Sequence, residues 1–569
     1  MEKAKNDALG NDDAVEYIED LKDNNGAMDY KELTRAREAN EAEKKSEGWQ
    51  AFKDGRKAIF WSAIISLTIV MEGYDIGLIG SFFAYPAFVE KFGTKYPGIA
   101  QKEVSAPWQS GLGNAGGAGV VIGGFLNGFL STRYGYKKVI LGALFFLNWF
   151  IFIPFFAESK PVLVVGQVLC GLTWGVFATT GPAYASEVCP LALRGYLTTY
   201  INLCWATGQL IAAGALKGLL SLRNEWGYRI AYASTTPNSL STQANFQQGL
   251  QWVWPVPLMC FIAFAPESPW WLLKHDRAED AWKALAQLDE KDAHERQKTI
   301  AQMRHTLMTE EAAEFGTSYF DLFKGVDLRR TEIVCVVFAG QVLSGSSFAY
   351  GPTYFFQQAG IDTSKSYGIA LGGTGLSFVG TIISWYLLTH FGRRTLYFFG
   401  MAGDALCLLL IAVVASSTSS GAKWAQVAFC LLWLFIYSMT LGPICYAIIS
   451  ETSSIRLRAK SICFSRNVYN IVQISANVAQ PYLLNPTELN FKGKTGYVWF
   501  STACVMLVWI YFRLPECKGR TYEELDDLFI RGVSARNFAS TKVDVYAKHF
   551  KAGALLSGDD TVEMASKES

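Results

Sequence analysis

The chain has 569 residues, half of them hydrophobic and only 18% charged, with 51 Lys and Arg against 50 Asp and Glu. A net charge of +1 excludes a polyanion partner, since DNA or RNA binding needs a clear basic excess. The charges are crowded at one end: 26 of them lie in positions 1–57, which excludes a single uniform globular domain.

The charged segment 1–57 reads as a disordered tail and holds no apolar stretch, so a cleaved signal peptide is not expected. A helix needs roughly 20 mostly apolar residues to cross a bilayer. Twelve candidates follow, at 58–84, 110–131, 138–157, 162–185, 198–219, 250–266, 331–356, 366–389, 394–416, 424–449, 462–484 and 495–513. The second is rich in glycine at helical spacing, from Gly111 to Gly128, which predicts close backbone contact with a neighbouring helix. A polar stretch, 267–330, divides the spans six and six and includes a helix-like run, and 514–569 reads as a second tail. The expected fold is an all-α membrane protein of twelve transmembrane helices in two six-helix halves, 58–266 and 331–513. Basic residues at the short loops after spans 2, 8 and 10 predict that those loops, and with them both termini and the linker, are cytoplasmic.

The eleven cysteines sit mostly in apolar runs with no CxxC pair, and the five histidines lie in polar segments or at span ends. No disulfide framework, metal site, cofactor or catalytic dyad is expected, and an enzyme is therefore disfavoured. An internal repeat says more. Glu187 and Arg194 recur 264 positions later as Glu451 and Arg458, Gly135 with Lys137 recurs as Gly392 with Arg394, and Pro266-Glu267 recurs as Pro515-Glu516. A duplicated six-helix unit is the plan of a transporter whose site lies between its halves. The residues Arg133, Lys137, Glu187, Arg194, Arg393, Arg394, Glu451 and Arg458 are candidates for a cytoplasmic gate whose opposite charges pair across the halves. For each alone, a snorkelling boundary residue is the competing reading.

These motifs resemble those of the sugar porters of the major facilitator superfamily over about residues 57–521. They stand here as Arg133-Tyr134-Gly135-Tyr136-Lys137-Lys138, Pro266-Glu267-Ser268-Pro269, Gly392-Arg393-Arg394 and Pro515-Glu516-Cys517-Lys518-Gly519-Arg520-Thr521. Ser186 to Arg194, Asn202 to Ala206 and Ala265 to Leu272 look like the fungal maltose and general α-glucoside permeases. The resemblance implies a sugar and a proton as cargo, a plasma-membrane location in the lipid bilayer, and a working monomer. The competing functions are transport of another sugar or a secondary metabolite on the same fold, and sugar sensing without transport.

Ionisable groups inside a membrane span are costly and are functional candidates by default. Glu72 and Asp75, three apart in the first span, share a helix face, and such a pair could take up and release the proton that coupling requires. Arg466, eight residues beyond Arg458, is the candidate counter-charge. Asp404 reads as a structural hydrogen-bonding group. Two departures from the resembling family matter: Gln167 stands where many members carry arginine, and Val120 where the α-glucoside permeases carry glutamate. For the sugar, the resemblance points to Asn202, Gln209, Gln341, Ser344, Ser347, Tyr446, Asn467 and Asn470, because hydroxyls need amide and hydroxyl partners beside aromatic rings. Interhelical hydrogen bonding competes for each polar residue.

Overall fold

The computed structural model describes residues 55–97, 102–189, 191–220, 254–289, 292–314, 318–349, 351–417, 419–454, 457–518 and 522–541, with Arg35, Phe52, Lys53 and Arg520 besides, and the side chains of 191–199, 309–314, 458–459 and 522–523 are outside that description. Most of the charged segment 1–57, all of 542–569 and the side chains of Arg194 and Arg458 therefore lie outside the described residues.

The described chain is helical. The first half runs through α1 (Arg56–Ser66), α2 (Thr68–Phe82), α3 (Pro86–Phe92), α4 (Ala106–Tyr134), α5 (Tyr136–Phe150), α6 (Phe152–Phe155), α7 (Lys160–Val188), α8 (Leu191–Leu219) and α9 (Pro255–Phe264). The linker folds as α10 (Pro269–Lys274), α11 (Ala278–Leu288) and α12 (Ala293–Glu314). The second half comprises α13 (Gly325–Leu343), α14 (Ser346–Ala349), α15 (Pro352–Gln358), α16 (Thr363–His390), α17 (Arg393–Val414), α18 (Ser420–Met439), α19 (Leu441–Thr452), α20 (Arg458–Leu484) and α21 (Thr495–Arg513), and α22 (Tyr522–Ile530) follows.

Each of the twelve expected spans corresponds to one of these helices or to a broken run of two or three. Among the described residues, nine of them are long and apolar enough to cross a membrane on length and composition. The other three are α8, α9 and α20. Of these, α9 is a short apolar helix in its described part, whereas α8 and α20 are long but diluted by the polar residues they turn inward. Large apolar side chains such as Phe129, Phe146, Trp149, Phe264 and Phe399 are exposed, as a lipid-facing surface requires.

Glycine sets how closely the helices pack. A Cβ on Gly171 would strike the Gly116 carbonyl, and one on Gly175 the Val120 carbonyl, so α4 and α7 cross backbone to backbone. Likewise Gly73 of α2 lies against the Trp205 carbonyl of α8, and Gly208 against Val70. By contrast Gly111, Gly113, Gly117 and Gly128 have open space around them, so only part of the glycine run in α4 works as a seam.

Four spans are broken. The first is interrupted at Leu67, the third at Ile151, the tenth at Thr440, and the seventh at Ser344–Gly345, where Gly345 takes φ +92°. That left-handed backbone is open to glycine at little cost, and it stops α13 before α14 begins.

Candidate functional site

The two ends of the bundle are held differently. At the end bearing α10–α12, here the linker end, each half repeats one device. The carboxylate of Glu267 accepts the backbone N–H groups of Tyr136 (3.0 Å) and Lys137 (3.1 Å) at the start of α5. Glu516 accepts those of Arg393 (2.8 Å) and Arg394 (3.2 Å) at the start of α17. Both satisfy free amides at a helix N-terminus, where negative charge is favoured. The repeated glycines make room: a Cβ on Gly135 would meet the Glu267 carboxylate, and one on Gly392 the Glu516 carboxylate. Burial pushes the Glu267 carboxyl above its ordinary value, against the backbone amides that favour its charge.

The second acidic pair departs from this symmetry. Glu187 accepts hydrogen bonds from the hydroxyls of Tyr136 (2.6 Å) and Ser268. Glu451 pairs with Arg393, Nε and Nη2 each 2.9 Å from Oε1. The Arg393–Glu451 pair lies within the second half. Arg394 donates to the Tyr511 carbonyl at 2.8 Å, and Arg133 sits over the Tyr134 ring at 5.6 Å. Lys137 contributes its backbone amide to Glu267. Among these candidates Glu187, Arg393 and Glu451 line the central cavity, and Arg133, Lys137 and Arg394 do not. At this end α22 docks on the start of α13, through an Arg330–Asp526 ion pair of 2.5 Å.

At the far end, polar bonds cross from one half to the other. Tyr367 of α16 donates to the Ser81 carbonyl at 2.6 Å, and Gln357 of α15 to the Ala84 carbonyl at 2.9 Å. Asn485 donates to the Val104 carbonyl at 2.9 Å, and Ser110 of α4 to the Val478 carbonyl at 3.2 Å. Glu103, in the segment between α3 and α4, accepts from Tyr354 and Gln358 of α15, each at 3.3 Å. Its own backbone is held by two bonds to Thr94. Burial pushes the Glu103 carboxyl above its ordinary value, with the two hydrogen bonds opposing.

Between these ends lies a cavity of about 2470 Å³. Its wall runs from Gln109 and Tyr354 at the far end, past the middle of the bundle, to Trp271 and Lys298 of the linker. Thr132 and Glu187 of one half and Thr389, Arg393 and Glu451 of the other border it, so the cavity separates the halves at the linker end. The molecule is closed at one end and open at the other.

Most of the residues singled out from the sequence meet here. Glu72, Asp75 and Gln167 are buried and on the cavity wall, and Val120 lines it while partly exposed. Arg466 joins them from α20, but it makes no ion pair with Glu72. Instead its Nη1 donates to the Tyr446 hydroxyl at 3.3 Å, and its guanidinium stands 4.8 Å from the centre of the Tyr469 ring. The cavity lies between it and the carboxylates of the opposite half, and its direct partners are aromatic side chains of its own half. Asn202, Gln209, Gln341, Ser347, Tyr446, Asn467 and Asn470 all line the cavity.

Two expectations fail. Ser344 is fully buried outside the cavity wall: its hydroxyl donates to the Gln341 carbonyl at 2.9 Å and its carbonyl accepts from Trp433 at 3.1 Å. Asp404 is fully buried with neither carboxylate oxygen hydrogen-bonded, so the bonding role expected of it is absent.

Sequence reasoning did not assign roles to Glu267 and Glu516 individually, although both stood in the repeated Pro-Glu motifs. It also passed over Gln473 and Asn477 on α20. The signal was present: Arg466, Asn470, Gln473 and Asn477 recur at i, i+4, i+7 and i+11, the spacing of one helix face.

Two bundles of broken and glycine-seamed helices around a central polar cavity define the class, a membrane transporter of the major facilitator type. The chain belongs to the sugar (and other) transporter family, which matches residues 61–529. It is 37% identical over 535 residues to a maltose permease of Saccharomyces cerevisiae, covering 93% of this chain and 84% of that one. It is 38% identical over 520 residues to an alpha-glucosides permease of the same yeast, covering 90% and 84%. Its fold is similar to that of the E. coli xylose transporter XylE in a partially occluded inward open conformation, with a TM-score of 0.65 at 16% identity, covering 82% of this chain and 99% of that one. The chain is thus a multi-pass transporter and not an enzyme.

Proposed function

We propose that the protein takes up α-glucosides such as maltose together with a proton across the plasma membrane, by alternating access and as a monomer, with the linker and both termini in the cytoplasm. One observation carries this reading: two buried carboxylates, an arginine, and amide and hydroxyl side chains from both halves converge on one cavity. Asp75 and Glu72 take the proton and Arg466 acts as the counter-charge across the cavity. Asn202, Gln209, Gln341, Ser347, Asn467 and Asn470 bond the sugar hydroxyls, with Tyr446 as an apolar face. The basic clusters after spans 2, 8 and 10 support the orientation, and on that orientation the open end faces inward.

Neither half needs to deform for transport. Sugar and proton enter when the far end is open, the halves rock, and release follows through the linker end. Glu187, Arg194, Glu451 and Arg458, with Arg133, Lys137, Arg393 and Arg394, form the cytoplasmic gate region, where partly exposed pairs are worth about 0–1 kcal/mol each and bias the equilibrium only as a group. A second reading, passive transport of the same sugars, is favoured by the uncharged Gln167 and Val120 on the cavity wall.

The test is uptake of labelled maltose in yeast lacking its own α-glucoside permeases, with external pH recorded, for wild type, Asp75→Asn and Arg466→Gln. Uptake with alkalinisation, lost in both variants, is the expected result. Uptake with no pH change selects the passive reading, and absence of uptake for maltose and other α-glucosides overturns the substrate assignment.

A further inference from the structure

The cavity-facing stripe of α20 continues well beyond the residues given a sugar role. Asn470, Gln473 and Asn477 lie on its cavity side, and at 1.5 Å per residue Asn477 stands about 10 Å further along the axis than Asn470. That is about the length of two linked hexose rings.

At the outer end of the stripe three side chains form a closed triangle. The Ser347 hydroxyl donates to Asn477 Oδ1 at 3.0 Å, and Gln473 Nε2 donates to Ser347 Oγ at 3.1 Å and to Asn477 Oδ1 at 2.8 Å. The triangle orients both amides and uses only one end of each. Gln473 Oε1 and Asn477 Nδ2 bond to no described protein group and are not sealed from the cavity. A packing contact between helices would be expected to bury such groups in partners. These two instead offer an acceptor and a two-proton donor, the complement of a sugar hydroxyl, which both donates and accepts.

We propose that Ser347, Gln473 and Asn477 form a second glycosyl subsite, in which Gln473 Oε1 and Asn477 Nδ2 hold the far ring of a disaccharide while the first ring sits at the level of Gln341 and Asn470. The assignment rests on the α-glucoside reading above and deepens it. Because Gln341 donates to the Gly442 carbonyl at 3.1 Å beside the tenth-span break, the first ring meets a wall made by the seventh and tenth spans. The second ring meets α20 and the short α14. Length selection among glucosides then lies in the outer triangle.

The experiment compares wild type with Gln473→Met and Asn477→Leu, which keep side-chain volume and remove the free acceptor and donor. Uptake of labelled maltose and of labelled methyl α-glucoside is measured in the permease-deficient yeast. Binding of both sugars to the purified protein is measured by calorimetry, which does not depend on transport. A rise of about tenfold in KM and Kd for maltose, the loss of roughly one good hydrogen bond, with values for methyl α-glucoside unchanged within about twofold, is the expected result. An equal shift for both sugars assigns the triangle to packing and overturns the subsite, as does no shift for maltose. A wild type that binds maltose without transporting it overturns the transport reading and leaves the subsite standing on the binding comparison. A wild type that binds neither sugar overturns both.

Discussion

At the far end, Tyr367, Gln357, Asn485, Ser110 and Glu103 tie one half to the other. At the linker end, Glu267, Glu516 and the Arg393–Glu451 pair tie each half to itself, with the cavity between them. The difference teaches where the work of holding a conformation is done. Bonds within a half persist through any rocking and keep each half rigid, whereas bonds between halves exist in one conformation only and set its population.

That contrast can be broken in four ways. The largest effect is expected from Glu516→Ala, which leaves the amides of Arg393, Arg394 and Lys518 without their acceptor. Unsatisfied groups of this kind cost about 1–3 kcal/mol, so the apparent melting temperature of the detergent-solubilised protein falls by several degrees. Glu267→Ala should do the same through the first half. An unchanged melting curve for both would sink the idea that the repeat is a capping device.

Removing two bridges at the far end, with Tyr367→Phe and Gln357→Leu together, forfeits about 0.5–1.5 kcal/mol apiece, or about tenfold in the ratio of open to closed molecules. A cysteine introduced by Gly351→Cys, on the cavity wall near that end, reports this as faster alkylation by a membrane-impermeant reagent. Equal rates in parent and variant would mean that apolar packing alone makes the seal.

A smaller change is expected from Arg393→Gln. Its pair with Glu451 is about one-fifth exposed on each side, and such pairs are worth about 0–1 kcal/mol. Alkylation at position 351 should stay as in the parent, because the pair does not span the halves; a marked shift would return it to the gate between them.

The smallest effect is a pH dependence through Glu103. Closed, its carboxyl is held above the ordinary value by burial; open, it returns to water and the ordinary value. Protonation therefore favours closure, and closure weakens as pH rises through the raised value. The groups facing Glu103 are Tyr354 and Gln358 from α15 and Thr94 from the paired segment, while the adjacent Lys102 is held by Glu90 at 2.6 Å. Alkylation at position 351 should slow with external acidification, and Glu103→Gln should remove that dependence. A slope that survives in the variant assigns it to another group.

Much of this architecture was legible in the sequence, because lipid demands long apolar helices and the repeat exposed the two halves. The helices that face the cavity were harder to read. In α20 the stripe from Arg466 to Asn477 lowers hydropathy while carrying the chemistry, so the feature that obscures the span also marks the site. Ser344 was singled out by the resemblance alone, which cannot show that at the end of α13 its hydroxyl turns back to the Gln341 carbonyl. Spacing along the chain could place Arg466 on its helix but not show that a cavity, and not a direct contact, lies between it and the carboxylates of the other half. For Asp404, sequence shows a carboxyl in an apolar run but cannot show whether a donor faces it.

The seam between α4 and α7 has a practical consequence. Where Gly116 and Gly171 meet, no side chain lies between the backbones, and hence no rotamer can change there and take up slack. Spin labels placed one on each of these helices would keep a constant separation through the whole cycle, a built-in ruler against which distances to α16 or α20 can be calibrated.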